Sequence, residues 1–360
     1  MRTFPANFGH LFQLVFHGRI RFFSFLILSF LLANPFLSII SIPANAQSLE
    51  QNPYPTQTPT PIPSDNGKSI FGAGSDLPDQ NWRPPLFKAP LALNLHDHFY
   101  FERPIALDSN NWPLADYRYG YIYPDEDVVH TGVDIVSPLH KPVLAAGAGK
   151  VVFAGYGLLN GAGDKNDPYG LAVMIRHSFS FSGYTIFSVY AHLDRIDVIN
   201  GDNIKAGDPI GIIGLTGKTS GPHLHFEIRL ENKDGDKVQN PELWVVPALG
   251  DGIIAGRIEN DYGTLIPAKE FWLSTLDKSQ KWKLMTYSSK TKQVDDYYQE
   301  NFAIGDIPAG KYDISINYFG KVYHGEVTIT PGAVNYIQFN GRHGFAQELP
   351  ASSSGEEFFR

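Results

Sequence analysis

The sequence predicts an all-β protein, and three observations support this fold class. Short runs rich in β-branched and aromatic residues recur within residues 89–247, such as KVVFA at 150–154 and YTIFSVY at 184–190. Clusters of Gly, Asn and Asp separate these runs as turns, and the region lacks a long apolar pattern of helical period. Alternating runs also fill residues 256–340. We therefore expect an all-β domain at 89–247, a small β-sandwich at 256–340 and a tail at 341–360.

The N-terminal segment differs in composition from these two regions. Three arginines within the first 21 residues precede an apolar stretch at 22–42, which ends in the sequence ANA at 44–46. This order is typical of a secretory signal peptide, so we expect residues 1–46 to be cleaved and the protein to be extracellular or in the cell envelope. An uncleaved membrane anchor is the alternative, because the stretch is close to bilayer length. Asn34 and Pro35 interrupt it and favour cleavage.

The composition excludes several kinds of site and of partner. Residues 47–88 are rich in Pro, Thr, Gln and Asn, which predicts an extended linker rather than a packed core. The chain has no Cys, so thiolate metal sites, disulfides and a Cys nucleophile are excluded. From residue 47 onward it carries 26 basic and 37 acidic residues, a net charge of −11. This balance argues against nucleic acid as a partner.

Four histidines and one aspartate stand in three short runs, which are HTGVD at 130–134, YAHL at 190–193 and GPHLHFE at 221–227. Imidazole nitrogen and carboxylate oxygen are suitable zinc ligands, and a catalytic zinc needs three protein ligands and one open position. Because side chains alternate between the faces of a strand, both histidines of the last run would face a cleft while the intervening Leu enters the core. The set can hold one zinc ion and leave two imidazoles for proton transfer.

These runs closely resemble the motifs of the lysostaphin/LytM-type zinc endopeptidases. The resemblance covers about residues 120–247 and includes AAGAGKV at 145–151 and NPELW at 240–244. It implies the duplicated-hybrid-motif fold, in which an antiparallel β-sheet forms a groove. It also implies a Zn²⁺ cofactor and the hydrolysis of peptide bonds in the stems or cross-bridges of peptidoglycan.

The resemblance implies a role for each of five residues. His130, Asp134 and His225 match the zinc ligands. His192 and His223 match two catalytic histidines that are not ligands and that act on water and on the developing oxyanion. Zinc polarises the scissile carbonyl and lowers the pKa of bound water, while imidazoles can transfer protons. Which of the two histidines is the general base stays open.

Two questions about the chain have alternative answers. A non-catalytic wall-binding or hydrolase-activating protein would have the same fold, but all five matched residues are intact here, which favours the enzyme. Residues 158–168 look longer than the usual connection in this family. This insertion either rims the groove and restricts substrates or is a surface loop.

The C-terminal region resembles, more loosely, small transthyretin-like or carboxypeptidase-regulatory-like sandwiches. Such domains serve as spacers or contact a cell wall or a protein partner, and both uses are candidates here. Four aromatic residues could form a sugar-binding or partner-binding surface or could belong to the core. They are Trp272, Trp282, Tyr297 and Tyr298.

Overall fold

The computed structural model describes residue 94 and residues 96–106, 117–122, 128–291 and 293–350. The predicted signal peptide at 1–46 and linker at 47–88 lie outside the described residues, so both stay predictions. The described residues all belong to one compact unit, Phe71–Arg360. Within the described ranges, no helix is long and apolar enough to cross a membrane.

Nine antiparallel strands form the first sheet. Their bounds are β1 Val133–Val136, β2 Pro142–Leu144, β3 Gly149–Tyr156, β4 Leu171–Phe181, β5 Tyr184–Ile196, β6 Asn203–Ile204, β7 Pro209–Ile213, β8 His223–Asn232 and β9 Gly235–Gln239. The main hydrogen-bonded order is β1-β8-β5-β4-β3-β6, with β7 paired to β5 and β2, and β9 paired to β8. Strand β8 therefore lies between β1, which contains Asp134, and β5, which contains His192.

Alternation along β8 separates the core from the cleft. Leu224, Phe226 and Ile228 are fully buried in the main hydrophobic core. His223 and His225 lie on the opposite face, as expected for a strand with a period of two. The alternation of residue types thus determines which face of β8 presents the two histidines to the cleft. A shift in register by one residue would put both imidazoles into the apolar core.

Two four-stranded sheets form the C-terminal sandwich. Their strands are β10 Asp251–Glu259, β11 Glu270–Thr275, β12 Lys281–Met285, β13 Phe302–Pro308, β14 Gly310–Tyr318, β15 Lys321–Ile329, β16 Val334–Asn340 and β17 Gly344–Ala346. The orders are β13-β10-β16-β17 and β12-β11-β14-β15. Side chains from both sheets, including Ile254, Phe271 and Ile314, share one buried core. The predicted all-β fold class is confirmed.

Two boundaries differ from those expected. Strand β10 begins at Asp251, ahead of the predicted start at 256. Strand β17 lies inside the segment predicted to be a tail, so that prediction is wrong for residues 344–346. The ring of Phe345 packs 4.9 Å from that of Phe339, which explains the added strand. Three residues are too few to show alternation in the sequence.

The two β regions pack against each other. The core of the nine-stranded sheet also includes Ile253, Ala303 and Tyr336 of the sandwich. A connection at 286–301 joins β12 to β13 and reaches back toward the first sheet. The sandwich therefore shares apolar burial with the first domain instead of lying apart on a tether.

Candidate metal centre

Three predicted ligands converge at the junction of β1 and β8. The antiparallel register places Asp134 directly opposite His225, and His130 stands four residues before Asp134. The Nε2 atom of His130 and the Nδ1 atom of His225 each lie 2.9 Å from Oδ1 of Asp134 and 3.1 Å from each other. All three residues are buried.

Hydrogen-bond partners determine which ring nitrogen of His130 and of His225 carries a proton. Nδ1 of His130 lies 2.9 Å from the carbonyl oxygen of Arg118, and a carbonyl only accepts, so the ring proton is on Nδ1. Nε2 of His225 lies 2.9 Å from the Glu227 carboxylate and donates in the same way. Two neutral rings held like this direct lone pairs at each other and at the aspartate. Either a second proton on His225 or a metal ion placed among the three atoms relieves that repulsion, and the ligand types suit zinc.

The electrostatics of the cluster favour a positive charge. Burial raises the pKa of Asp134, but the neighbouring His130 and His225 outweigh it and hold that pKa well below its usual range. Burial lowers the pKa of His225, yet its hydrogen bonds to Asp134 and Glu227 raise it to about 9. A site that retains a proton so strongly on His225 also favours a metal ion at the same position.

Glu227 is the main residue of the site that no role was predicted for. It is fully buried, and its Oε1 accepts hydrogen bonds from the hydroxyls of Tyr169 at 2.7 Å and Thr131 as well as from His225. Its Oε2 accepts from Nε of Arg229 at 2.6 Å. Burial opposes ionisation, but the hydrogen bond from His225 and the charge of Arg229 lower the pKa of Glu227. Its position on the histidine face of β8 was the only signal in the sequence.

Gly132 allows β1 and β8 to approach closely beside the ligands. A Cβ atom at this position would lie 2.4 Å from the carbonyl oxygen of Phe226 and 2.9 Å from the His225 ring. Any larger residue would therefore push the segment that carries His130 away from β8. The glycine inside the HTGVD run is a packing requirement of the site.

His192 and His223 lie side by side next to the three ligands. Their ring centroids are 4.8 Å apart, and the His192 ring lies 5.8 Å from that of His225. Nδ1 of His192 donates to the carbonyl of Thr216 at 2.9 Å, and Nδ1 of His223 donates to the carbonyl of Gly221 at 2.8 Å. Both rings therefore keep Nε2 as an acceptor. The structure brings all five predicted residues together.

The backbone and the burial of His192 are both unusual. Its φ of 62° lies in the left-handed region, where a residue other than glycine is strained. This conformation occurs where β5 changes register against its neighbours. Burial lowers the pKa of His192 to about 3 and also lowers that of His223, so both imidazoles are neutral at physiological pH.

An open groove of about 670 Å³ leads to these residues. Val128 and Val129 line it together with Leu159 and Pro168 from the insertion at 158–168. Leu159 is 65% exposed at the rim. The insertion therefore contributes to the groove wall, and its predicted effect on substrate choice stays a prediction.

The four C-terminal aromatic residues do not form one surface. Tyr298 is fully buried, and its hydroxyl donates to Asp97. Tyr297 stacks on His96 with ring centroids 3.5 Å apart, while Trp282 packs edge-on against Tyr312. Tyr297, Tyr298 and Trp282 thus pack against neighbouring groups, and the Lys281 ammonium lies 3.8 Å from the ring centroid of Trp272.

Residues 128–241 match the profile of Peptidase family M23. The antiparallel sheet and its histidine–aspartate cluster at the floor of a groove agree with this match. This part of the chain is therefore an M23 peptidase domain, and the resemblance to the lysostaphin/LytM-type enzymes is confirmed.

Relatives cover the same part of the chain. The DD-carboxypeptidase/endopeptidase Mpg of Neisseria meningitidis serogroup B is 35% identical over 119 residues, which are 32% of this chain and 24% of that protein. The peptidoglycan DD-endopeptidase ShyB of Vibrio cholerae is 34% identical over 113 residues, 31% of this chain and 23% of that protein. The catalytic domain of lysostaphin from Staphylococcus simulans is 32% identical and covers 35% of this chain and 86% of that domain, with a TM-score of 0.28. The chain thus spans about a quarter of the length of these curated relatives.

Proposed function

We propose that the protein is an exported, zinc-dependent endopeptidase that hydrolyses peptide bonds in the stems or cross-bridges of peptidoglycan. One observation carries the proposal, namely that His130, Asp134 and His225 direct three ligand atoms at one point beside two neutral imidazoles. The relatives named above as peptidoglycan DD-endopeptidase and DD-carboxypeptidase/endopeptidase support the substrate class. The apolar N-terminal segment motivates export.

The chain's own groups suit hydrolysis of an amide bond. Zinc held by the three ligands would act as a Lewis acid on the scissile carbonyl and on the attacking water. Nε2 of His192 or His223 accepts the proton that water loses as its oxygen bonds to the carbonyl carbon. The protonated imidazole then donates this proton to the leaving amine nitrogen as the carbon–nitrogen bond breaks. The carbonyls of Thr216 and Gly221 keep each ring oriented throughout.

Digestion of purified peptidoglycan sacculi tests the proposal. We expect the protein to release peptide fragments with new amino termini, which mass spectrometry identifies, and a zinc chelator to stop the release. His225→Ala should abolish zinc binding and turnover together. His192→Ala and His223→Ala should keep zinc and lose turnover.

Other outcomes would redirect the assignment. Full turnover in the His223→Ala variant would remove that residue from the chemistry. The non-catalytic alternative would gain support if the zinc-loaded protein released no fragments. A pull-down with the same protein should then recover a wall hydrolase in stoichiometric amount. Detection of the intact N-terminus on protein from the cell envelope would contradict cleavage at residue 46.

A further inference from the structure

A short segment at 117–122 holds His130 from three directions. The backbone N–H of Gly120 donates to the His130 carbonyl at 2.9 Å, and the His130 N–H donates to the carbonyl of Tyr121 at 2.7 Å. The ring of His130 donates to the carbonyl of Arg118. Both the position of this ligand and the proton on its ring therefore depend on where the segment lies.

The 286–301 connection of the sandwich fixes the middle of that segment. The carbonyl of Gly120 accepts hydrogen bonds from the Ser288 N–H at 2.8 Å and from the Thr291 hydroxyl at 3.1 Å. Gly120 has φ +81°, and a Cβ atom there would lie 2.6 Å from the Tyr287 ring. Close packing on this ring leaves the segment no room to move toward the sandwich.

Tyr119 ties the segment to both domains at once. Its hydroxyl lies 3.0 Å from the carbonyl of Val238 in β9 and 2.8 Å from the carbonyl of Gln293 in the connection. Its ring packs edge-on against Tyr287 with centroids 5.3 Å apart. The residue is almost fully buried, so these contacts are shielded from water.

Arg118 provides a further link through a buried ion pair. Its guanidinium contacts the carboxylate of Glu242, which has almost no exposed surface. The same Glu242 oxygen accepts the backbone N–H of Gly305 in β13 at 2.7 Å. The carbonyl that orients His130 thus belongs to a residue whose side chain is anchored where the peptidase domain meets the sandwich.

We propose, on the basis of the metal site proposed above, that the C-terminal sandwich helps to position a ligand of the metal centre. Through its contacts to Arg118, Tyr119 and Gly120, it fixes the segment that orients His130 and thereby sets the affinity for the metal. Arg118 acts as a positioning residue through its carbonyl. Groups that orient a metal-binding imidazole typically alter metal affinity by about 10-fold to 100-fold when they are lost.

The test compares two ion pairs that join the same two parts of the chain. Arg118→Met removes the pair with Glu242 but keeps the Arg118 carbonyl in the backbone. Arg103→Met is the matched control, because Arg103 pairs with Asp306 of β13 at 2.6 Å, is similarly buried and belongs to a different segment of the chain, 96–106. Zn²⁺ affinity of the full chain is measured by competition with a chromophoric chelator, and melting temperature is measured on the same samples.

We expect both substitutions to lower the melting temperature and only Arg118→Met to weaken Zn²⁺ binding, by about 10-fold. Equal affinity in the parent and the Arg118→Met variant, or an equal loss in Arg103→Met, would overturn the proposed coupling. If Arg118→Met does not fold, Thr291→Val replaces it, with an expected several-fold loss and the same criterion. A parent chain that binds no Zn²⁺ at all would refute the metal site itself, which is a separate failure.

Discussion

The Nε2 atom of His225 lies 2.9 Å from Oε1 of Glu227, two residues further along the same face of β8. This pair makes one strand supply both a metal ligand and the carboxylate that orients it. The hydrogen bond holds the ring proton on Nε2 and leaves Nδ1 to face Asp134. Thr131 and Tyr169 hold Glu227 in place in turn.

We predict that Glu227→Gln weakens zinc binding by about 10-fold to 100-fold. The amide keeps the size of the side chain but removes the charge that attracts the His225 proton, and it leaves Arg229 without its buried ionic partner. Chelator competition measures the effect. Glu231→Gln, at an exposed position of the same strand, is the control and should bind zinc like the parent. Unchanged affinity in the Glu227→Gln variant would show that an uncharged acceptor at this position is enough to orient the His225 ring.

We predict that Gly132→Ala disrupts the metal site. The added methyl group would overlap the carbonyl of Phe226 and the ring of His225, so the His130 segment must move outward. Isothermal titration with Zn²⁺ should show a loss of at least about 10-fold in affinity, together with a lower melting temperature.

Gly221 offers a matched control for this substitution. It also belongs to one of the three runs, yet a Cβ atom built there meets no other atom within 4 Å. Gly221→Ala should therefore bind zinc and unfold like the parent. If both alanine variants behave alike, close packing at Gly132 is not what organises the site.

The sequence pointed to the five central residues because they stand in three short runs, and the resemblance to the zinc endopeptidases gave each of them a predicted role. The alternation of His223, Leu224 and His225 already specifies two faces of one strand. The surrounding groups were beyond reach for a physical reason. The carbonyls of Arg118 and Thr216 orient His130 and His192, but every residue has a backbone carbonyl. The residue type therefore does not indicate which carbonyl accepts such a hydrogen bond.

The packing of the sandwich on the peptidase domain could not be predicted from the sequence either. Alternating runs predicted strands in both regions, but they could not reveal that Tyr287 and Thr291 pack on Gly120, more than a hundred residues earlier. Contacts of that separation depend on the tertiary fold. Strand β17 was missed because it is three residues long and contributes one hydrophobic side chain, Phe345, to the sandwich core.

We predict that Asp167→Ala loosens the 158–168 insertion. Asp167 is fully buried, and its carboxylate accepts hydrogen bonds from the backbone N–H groups of Leu159 and Asn160 at 2.7 Å and of Tyr169 at 2.9 Å. Three amide groups lose their acceptor in the variant, so the loop should open more often.

Limited digestion with trypsin reads this opening directly, because Lys165 lies within the same insertion. Cleavage after Lys165 should be several-fold faster in the Asp167→Ala variant. Asp208→Ala is the control, since Asp208 accepts a backbone N–H in a separate exposed turn. Equal cleavage in all three proteins would mean that the insertion holds its shape without the Asp167 carboxylate.

We predict that stability falls in mild acid because of His177. Burial lowers the pKa of His177 to about 4, although its hydrogen bond to the Ala148 carbonyl opposes this change. Below the ordinary histidine pKa of about 6.5, the unfolded chain takes up the proton first, so the free energy of unfolding decreases until the folded pKa is reached. Between pH 7 and pH 5 the contribution of His177 to this loss should be about 2 kcal/mol, measured by urea unfolding of the parent and the His177→Gln variant at each pH. His177→Gln should be less stable at pH 7 but should lose this part of the pH dependence, whereas His140→Gln, at an exposed position, should keep it. An unaltered pH dependence in the His177→Gln variant would assign the acid sensitivity to other groups.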